Sequence, residues 1–190
     1  MSDVTIHDRR RLLDDDLAVE AAEISFERED GERTAPHRLV RVLRDDAAAV
    51  LLIDRARREL LLVEQFRWPT HEKGPGRLVE IVAGVIEPGE SPEQTAAREA
   101  LEEAGVLSGE MIPIARCYPT PGYSTERVHI FAAEVRPGAP AGAGGGVDVG
   151  EHTRTVRLPF AAVDDRLRDG RIADAKTLIA LQWFRLRDGR

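Results

Sequence analysis

Glu99, Glu102 and Glu103 crowd into five consecutive positions, with Glu87, Glu90 and Glu93 just upstream. Like charges at helical spacing destabilise a helix by roughly a few tenths of a kcal/mol each, so the cluster calls for a compensating cation. Arg98 is spaced to meet Glu102 one turn on, whereas the spacing offers Glu99 and Glu103 no helical cation. Hard carboxylate oxygens gathered in this way suit Mg²⁺ or Mn²⁺. Such ions, bridging phosphate oxygens, serve phosphoryl chemistry by activating water and neutralising a leaving phosphate. The competing reading is a solvated helix face, which Glu-rich helices commonly present.

The elements that must position these carboxylates are legible around them. Ser91, Pro92 and Gln94 read as a capping box with proline at the first helical position. Gly105 supplies a left-handed stop. Within that helix, Glu99, Glu102 and Glu103 fall inside an arc of roughly 100°. Ala96, Ala97, Ala100, Leu101 and Ala104 form the adjoining face, small enough for close packing on a sheet. Upstream, Gly84 ends an apolar strand and begins the loop Gly-Val-Ile-Glu-Pro-Gly-Glu-Ser that returns the chain to the helix.

Taken together, Gly84, Glu90, Arg98, Glu99, Ala100, Glu102, Glu103, Gly105 and Val106 fill every fixed position of a pattern that resembles the Nudix box. The stretches VEQFRWPT, LVEIVAGVIEPGES, PTPGYSTERVHIF and RIADAKTLIALQWFRL look like the branch that hydrolyses ADP-ribose and related nucleotide sugars. The later GEHTRTVRLPF and IADAKT segments are also similar to GDP-mannose-hydrolysing members.

The resemblance implies a Nudix fold and Mg²⁺ or Mn²⁺ as cofactor, two to three ions with substrate. It implies hydrolysis of a nucleoside diphosphate sugar, with ADP-ribose giving AMP and ribose 5-phosphate. GDP-mannose or another nucleotide sugar is the alternative substrate, and a Nudix-like sensor that binds ADP-ribose without cleaving it is the alternative function. The metal ligands implied are Glu99, Glu103, the backbone carbonyl of Ala83, and Glu151 from a loop late in the chain. Glu102, Glu103 and Glu151 are the implied catalytic carboxylates, while Glu90 and Arg98 match positions that tie the loop to the helix. The family's base lies two residues before the Glu151 position, where this chain has Val149, with Asp148 adjacent but out of register. That departure leaves the base unassigned. Arg67, Glu80 and Glu126 match positions that contact substrate or metal in this branch, Arg67 through a bidentate fork suited to phosphate oxygens. Phe26, the other substrate-contact candidate, and Trp68 are aromatics that could stack on a base, although an aromatic in a strand more often belongs to the core. His71 and His129 read as bystanders and Trp183 as core.

Stepping along the chain, residues 1–16 are strongly charged and read as frayed or loosely ordered. Leu17–Arg44 reads as two or three strands turned at Asp30-Gly31. Two short aliphatic runs, Ala47–Ile53 and Leu60–Phe66, read as buried strands. Residues 78–86 read as one further strand, and 111–118, 127–135 and 151–159 as three more. Pro137–Gly146 reads as a flexible loop, and two helices close the chain, the first stopped at Gly170. The expected class is α/β, an α+β mixed-sheet sandwich, with residues 1–44 as an N-terminal strand arm and 45–190 as the hydrolase domain. Such an arm buries too little apolar area to fold alone, and the similar ADP-ribose enzymes are homodimers whose arms reach the partner. A homodimer is therefore expected here, with residues near Phe26 or Arg44 lining the partner's nucleotide site.

Composition narrows the partners. The 190 residues are 42% hydrophobic and 32% charged, ordinary for a soluble globular protein. A formal charge of -7 argues against a nucleic-acid binder. Cys117 is the single cysteine, which rules out an internal disulfide and fits a reducing cytoplasm. The apolar runs are too short for a membrane span, and the first residues carry no signal core. Lys73 and Lys176 are the only lysines, which reads as compositional bias towards arginine.

Overall fold

The structure is a computed structural model that describes residues 3–136 and 153–188. The chain forms two compact units, one comprising Met1–Asp45 with Thr120–Arg127, the other Asp46–Pro119 with Val128–Arg190.

The first unit is an antiparallel sheet of three strands, β1 (Val4–Asp14), β2 (Ala18–Phe26) and β3 (His37–Leu43), in that order. The expected fraying of residues 1–16 is overturned. β1 pairs with β2 from Val4 opposite Phe26 to Asp14 opposite Ala18, although all its residues are exposed. A strand ladder is closed by backbone groups and tolerates charged side chains. Here the polar side chains assist, since Arg9 lies 3.5 Å from the Glu20 carboxylate, and His7 Nε2 is hydrogen-bonded to Ser25 Oγ at 2.9 Å. Gly31, at φ +82°, turns the β2–β3 connection where Asp30-Gly31 was expected to turn it. The segment 120–127 joins β3 through Val42 N–H donating to Tyr123 O at 2.7 Å and Thr125 N–H donating to Val42 O at 3.1 Å.

The second unit is mixed α+β, as expected. Its elements are β4 (Ala47–Asp54), β5 (Glu59–Phe66), β6 (Arg77–Glu80), β7 (Val82–Val85), α1 (Pro92–Glu102), β8 (Ile112–Cys117), β9 (Val128–Glu134), β10 (Arg154–Pro159), α2 (Val163–Arg168) and α3 (Ala175–Asp188). Short 3₁₀ turns at Trp68–Thr70 and Phe160–Ala162 link them. The sheet runs β10-β5-β4-β9-β8, with β4 and β9 parallel and the other pairs antiparallel. β4 is buried at every position because both faces are covered. Its Ala48, Val50 and Leu52, with Leu61 and Val63, pack on Ala96, Ala100 and Ala104 of α1 and its C-terminal turn. Ala49, Leu51, Ile53, Leu60 and Leu62 pack on Val163, Ala180, Leu181 and Phe184 of α2 and α3.

Residues 78–86, expected as one strand, form two. β4 pairs with β5 only over Leu52–Asp54, and its first half, Ala47–Val50, pairs with β7. The far half of β5, Val63–Phe66, pairs with β6. The two central strands thus diverge, and β6 and β7 fill the wedge between them with a break at Ile81. The break leaves the Ile81 N–H outside both ladders, where the Thr177 hydroxyl accepts it at 2.8 Å.

Helix α1 begins as the sequence implies. Ser91 Oγ accepts from Gln94 N–H at 3.3 Å, and Gln94 Oε1 accepts from Ser91 N–H at 2.8 Å, closing the capping box. Gly105, at φ +67°, ends the turn that follows it. Ser91→Ala removes one half of the box and is expected to lower stability by about 1 kcal/mol, read from the midpoint of urea unfolding.

Candidate active site

The site is built where β7 meets the C-terminal turn of α1. Glu103 is 3% exposed, and its carboxylate accepts from Ala83 N–H at 3.2 Å and from the Gln65 side-chain amide. A strand residue's N–H and C=O share one edge of the strand. The bond to Glu103 therefore sets the Ala83 carbonyl on the same edge. Glu99, one turn before Glu103, lies over the bare Cα of Gly84, so that a Cβ built there would fall on its carboxylate. Gly84 is glycine because Glu99 takes the space of a side chain. Gly84→Ala is expected to swing the flexible Glu99 side chain off the strand, lowering kcat at least about tenfold with little change in melting temperature. Unchanged turnover would show that the position of Glu99 is not used.

Arg98 gathers the remaining carboxylates. Its guanidinium contacts Glu90 at 3.0 and 3.2 Å, Glu99 at 2.7 Å and Glu102 at 3.0 Å, and it donates to Val85 O at 3.3 Å. Glu99, which the helical spacing left without a cation, is thus paired with its own neighbour in sequence. Glu90 also accepts from the Thr95 hydroxyl at 2.7 Å. The Arg98 hydrogen bonds, helped by Thr95, hold the Glu90 carboxyl down at about 2. The loop of residues 84–91 is thereby fastened to the helix, which is the tying part the resemblance implied for Glu90 and Arg98.

A second ionic group lies at β6. Glu80 is 2% exposed, and both its oxygens are engaged: Arg67 meets them through Nε at 2.7 Å and Nη2 at 3.1 Å, and Lys176 Nζ joins at Oε2. Burial pushes the Glu80 carboxyl up, but the hydrogen bonds and charges of Arg67 and Lys176 outweigh it and leave it below its ordinary value. The same bond to Glu80 raises Arg67. Lys176 also contacts Asp174 at 2.9 Å, and Asp174 accepts from Thr177 N–H at 2.9 Å. Arg67 therefore offers one edge of its fork to Glu80 while 41% of its side chain faces solvent.

The structure brings together Ala83, Glu99, Glu102 and Glu103, with Glu80 on β6 and Arg67 just past the end of β5. Phe26 and Glu126 belong to the first unit. There Phe26 meets the His37 ring edge-on at 5.8 Å, and Glu126 N–H donates to Ser124 Oγ at 3.2 Å. Glu151, Asp148, Val149 and the loop Pro137–Gly146 lie outside the described residues. Trp68 is 69% exposed and stacks on His71 at 5.7 Å rather than entering the core. Trp183 packs against the core, as expected.

Among the described residues, no group of three or more His, Cys, Asp or Glu side chains is gathered as a ready metal site. The donors nonetheless fit a hard divalent cation. Two carboxylates one helical turn apart and a backbone carbonyl are oxygen ligands of the right kind, and Gly84 leaves the cradle in which Glu99 sits.

Two groups escaped the sequence reading. Gln65 holds Glu103, and its signal was a polar residue inside an otherwise apolar strand. Lys176 holds Glu80, and its signal was rarity, since it is one of only two lysines in the chain.

A family model and curated relatives match the chain. The model described as NUDIX domain matches residues 43–181. A protein of Pectobacterium atrosepticum named GDP-mannose pyrophosphatase is 39% identical over 149 residues, covering 74% of this chain and 76% of that protein. One of the same name from Escherichia coli is 31% identical over 185 residues, covering 96% and 95%. A crystal structure titled ADP compounds hydrolase superposes with a TM-score of 0.75 at 23% identity, covering 96% of this chain and 92% of that one, and shows the shared fold.

Proposed function

The chain belongs to the Nudix family, and from that premise we propose that it hydrolyses the diphosphate bond of a nucleoside diphosphate sugar with Mg²⁺ or Mn²⁺. The observation that carries this reading is the convergence on β7 of Glu103, bonded to the Ala83 N–H, and Glu99, lying over Gly84. The names of the relatives put GDP-mannose first, giving GMP and mannose 1-phosphate. ADP-ribose, placed first by the sequence resemblance, is the second candidate.

Glu99, Glu103 and the Ala83 carbonyl would hold the metal, with Glu151 joining them by the resemblance. Bound there, the ions supply an activated water and neutralise charge on the phosphates. The other roles fall to the chain's own side chains. Gln65 and Ala83 N–H keep Glu103 from turning away. Glu80 clamps the Nε edge of Arg67, leaving its other N–H groups for a phosphate oxygen. Glu102, beside them and paired with Arg98, is the candidate acceptor of the water's proton among the described residues.

The test is phosphate release from GDP-mannose, ADP-ribose, NADH and diadenosine polyphosphates, with phosphatase added to reveal monoester products. Metal-dependent release from a nucleotide sugar is expected. A preparation that binds these compounds without producing monoesters would instead be the sensor.

Assembly as a homodimer is part of the same reading. By register, Val4, Ile6, Ile24, Phe26 and Leu39 share one face of the three-stranded sheet. Val4, Ile6 and Leu39 are each about half exposed, at 50%, 47% and 49%. An apolar face beside a long edge strand invites a partner, and a second copy would place Phe26 at the junction. Ile6→Asp combined with Leu39→Asp is expected to halve the mass seen in sedimentation. An unchanged mass would remove this face from the interface.

A further inference from the structure

We propose that Thr177, with its hydroxyl aimed by Asp174, is a positioning residue for the active site, acting through the backbone break at Ile81. This rests on the activity proposed above and adds a part for the C-terminal helix α3.

The geometry is specific. Thr177 is fully buried, and its hydroxyl donates to Asp174 Oδ2 at 2.5 Å. With its proton committed, the oxygen has only lone pairs to offer, and it accepts the Ile81 N–H at 2.8 Å. Ile81 is the one residue between β6 and β7, where the strand leaves β5 for β4 and neither ladder holds its N–H. On one side of the break stands Glu80, which clamps Arg67. On the other side, two residues on, Ala83 holds Glu103, and Gly84 then makes room for Glu99. A single hydroxyl from α3 thus pins the joint whose two arms carry Glu80, the clamp of Arg67, and the expected metal donors. Asp174 ties this bond to the ionic group as well, because its other oxygen contacts Lys176 at 2.9 Å and Lys176 reaches Glu80.

Thr177→Val keeps the shape and removes the acceptor, while Thr177→Ser keeps the acceptor and removes only the methyl group. In metal-free protein, the Ile81 amide is expected to be strongly protected from hydrogen exchange in the wild type and in Thr177→Ser, and to lose protection selectively in Thr177→Val. Mn²⁺ affinity, titrated by electron paramagnetic resonance, and kcat should each fall about tenfold or more in Thr177→Val and recover to near wild type in Thr177→Ser. A Thr177→Val protein that melts earlier yet keeps both Mn²⁺ affinity and kcat would overturn the proposal, since Thr177 would then only stabilise the fold. Should Thr177→Val not fold, the wild type still decides: an Ile81 amide exchanging as fast as exposed ones would also overturn it. Exchange and Mn²⁺ binding need no turnover. A failure of the nucleotide-sugar assignment would therefore leave these readouts intact and be told apart.

Discussion

Glu103→Gln is expected to lower kcat by a factor on the order of 10²–10³ while leaving the melting temperature within about 2 °C of wild type. The side chain is buried and, among its contacts, accepts hydrogen bonds from Ala83 N–H and the Gln65 amide. A glutamine keeps a carbonyl for Ala83 but turns an NH₂ toward Gln65. Gln65 can answer by rotating its own amide, exchanging donor for acceptor. Volume and these two hydrogen bonds are therefore conserved, while the charge is lost. That charge is what a divalent cation requires, and several kcal/mol of electrostatic stabilisation go with it. At about 1.4 kcal/mol per tenfold in rate, the expected range follows. Glu93→Gln, an exposed change in the first turn of the same helix, should leave kcat unaltered. Turnover near wild type in Glu103→Gln would refute the metal-ligand assignment.

What could be read ahead of the structure divides along sequence distance. Helix α1 was legible to its caps because a capping box, a terminal glycine and a carboxylate arc are local facts. The carboxylates over β7 were legible for the same reason, through spacing that also carried the family resemblance. β1 was not, because its charges mask a ladder whose pairing depends on β2. The break at Ile81 was not legible either. An aliphatic run reads as one strand, and only the divergence of β4 from β5 divides it. Lys176 meets Glu80 of β6, and Thr177 meets Ile81 at the break, each from 96 residues away in the chain, a distance that no local pattern spans. The late carboxylate, Glu151, rests on the resemblance alone.

The largest stability effect is expected at Glu80. Truncation to alanine removes the carboxylate between Arg67 and Lys176, and breaking a buried pair in this way typically costs about 3–5 kcal/mol. The lower end applies here, since Arg67 is 41% exposed and Lys176 keeps Asp174. Glu80→Gln isolates the charge and has a pH signature whose sign is fixed. The carboxyl is held below its ordinary 4.5 in the fold, with burial opposing and the Arg67 and Lys176 contacts prevailing. Between the folded and unfolded values the unfolded chain binds more protons, so stability rises with pH there. The contribution is complete above 4.5 and is lost as pH falls through the lower folded value. Urea unfolding of wild type and Glu80→Gln should therefore differ most near neutral pH, and the gap should narrow on acidification. Arg67, freed from its clamp, should also bind the diphosphate less well, raising KM more than it lowers kcat. Two stability curves that stay parallel from neutral pH well into the acid range would show that the charge of Glu80 does not hold this joint together.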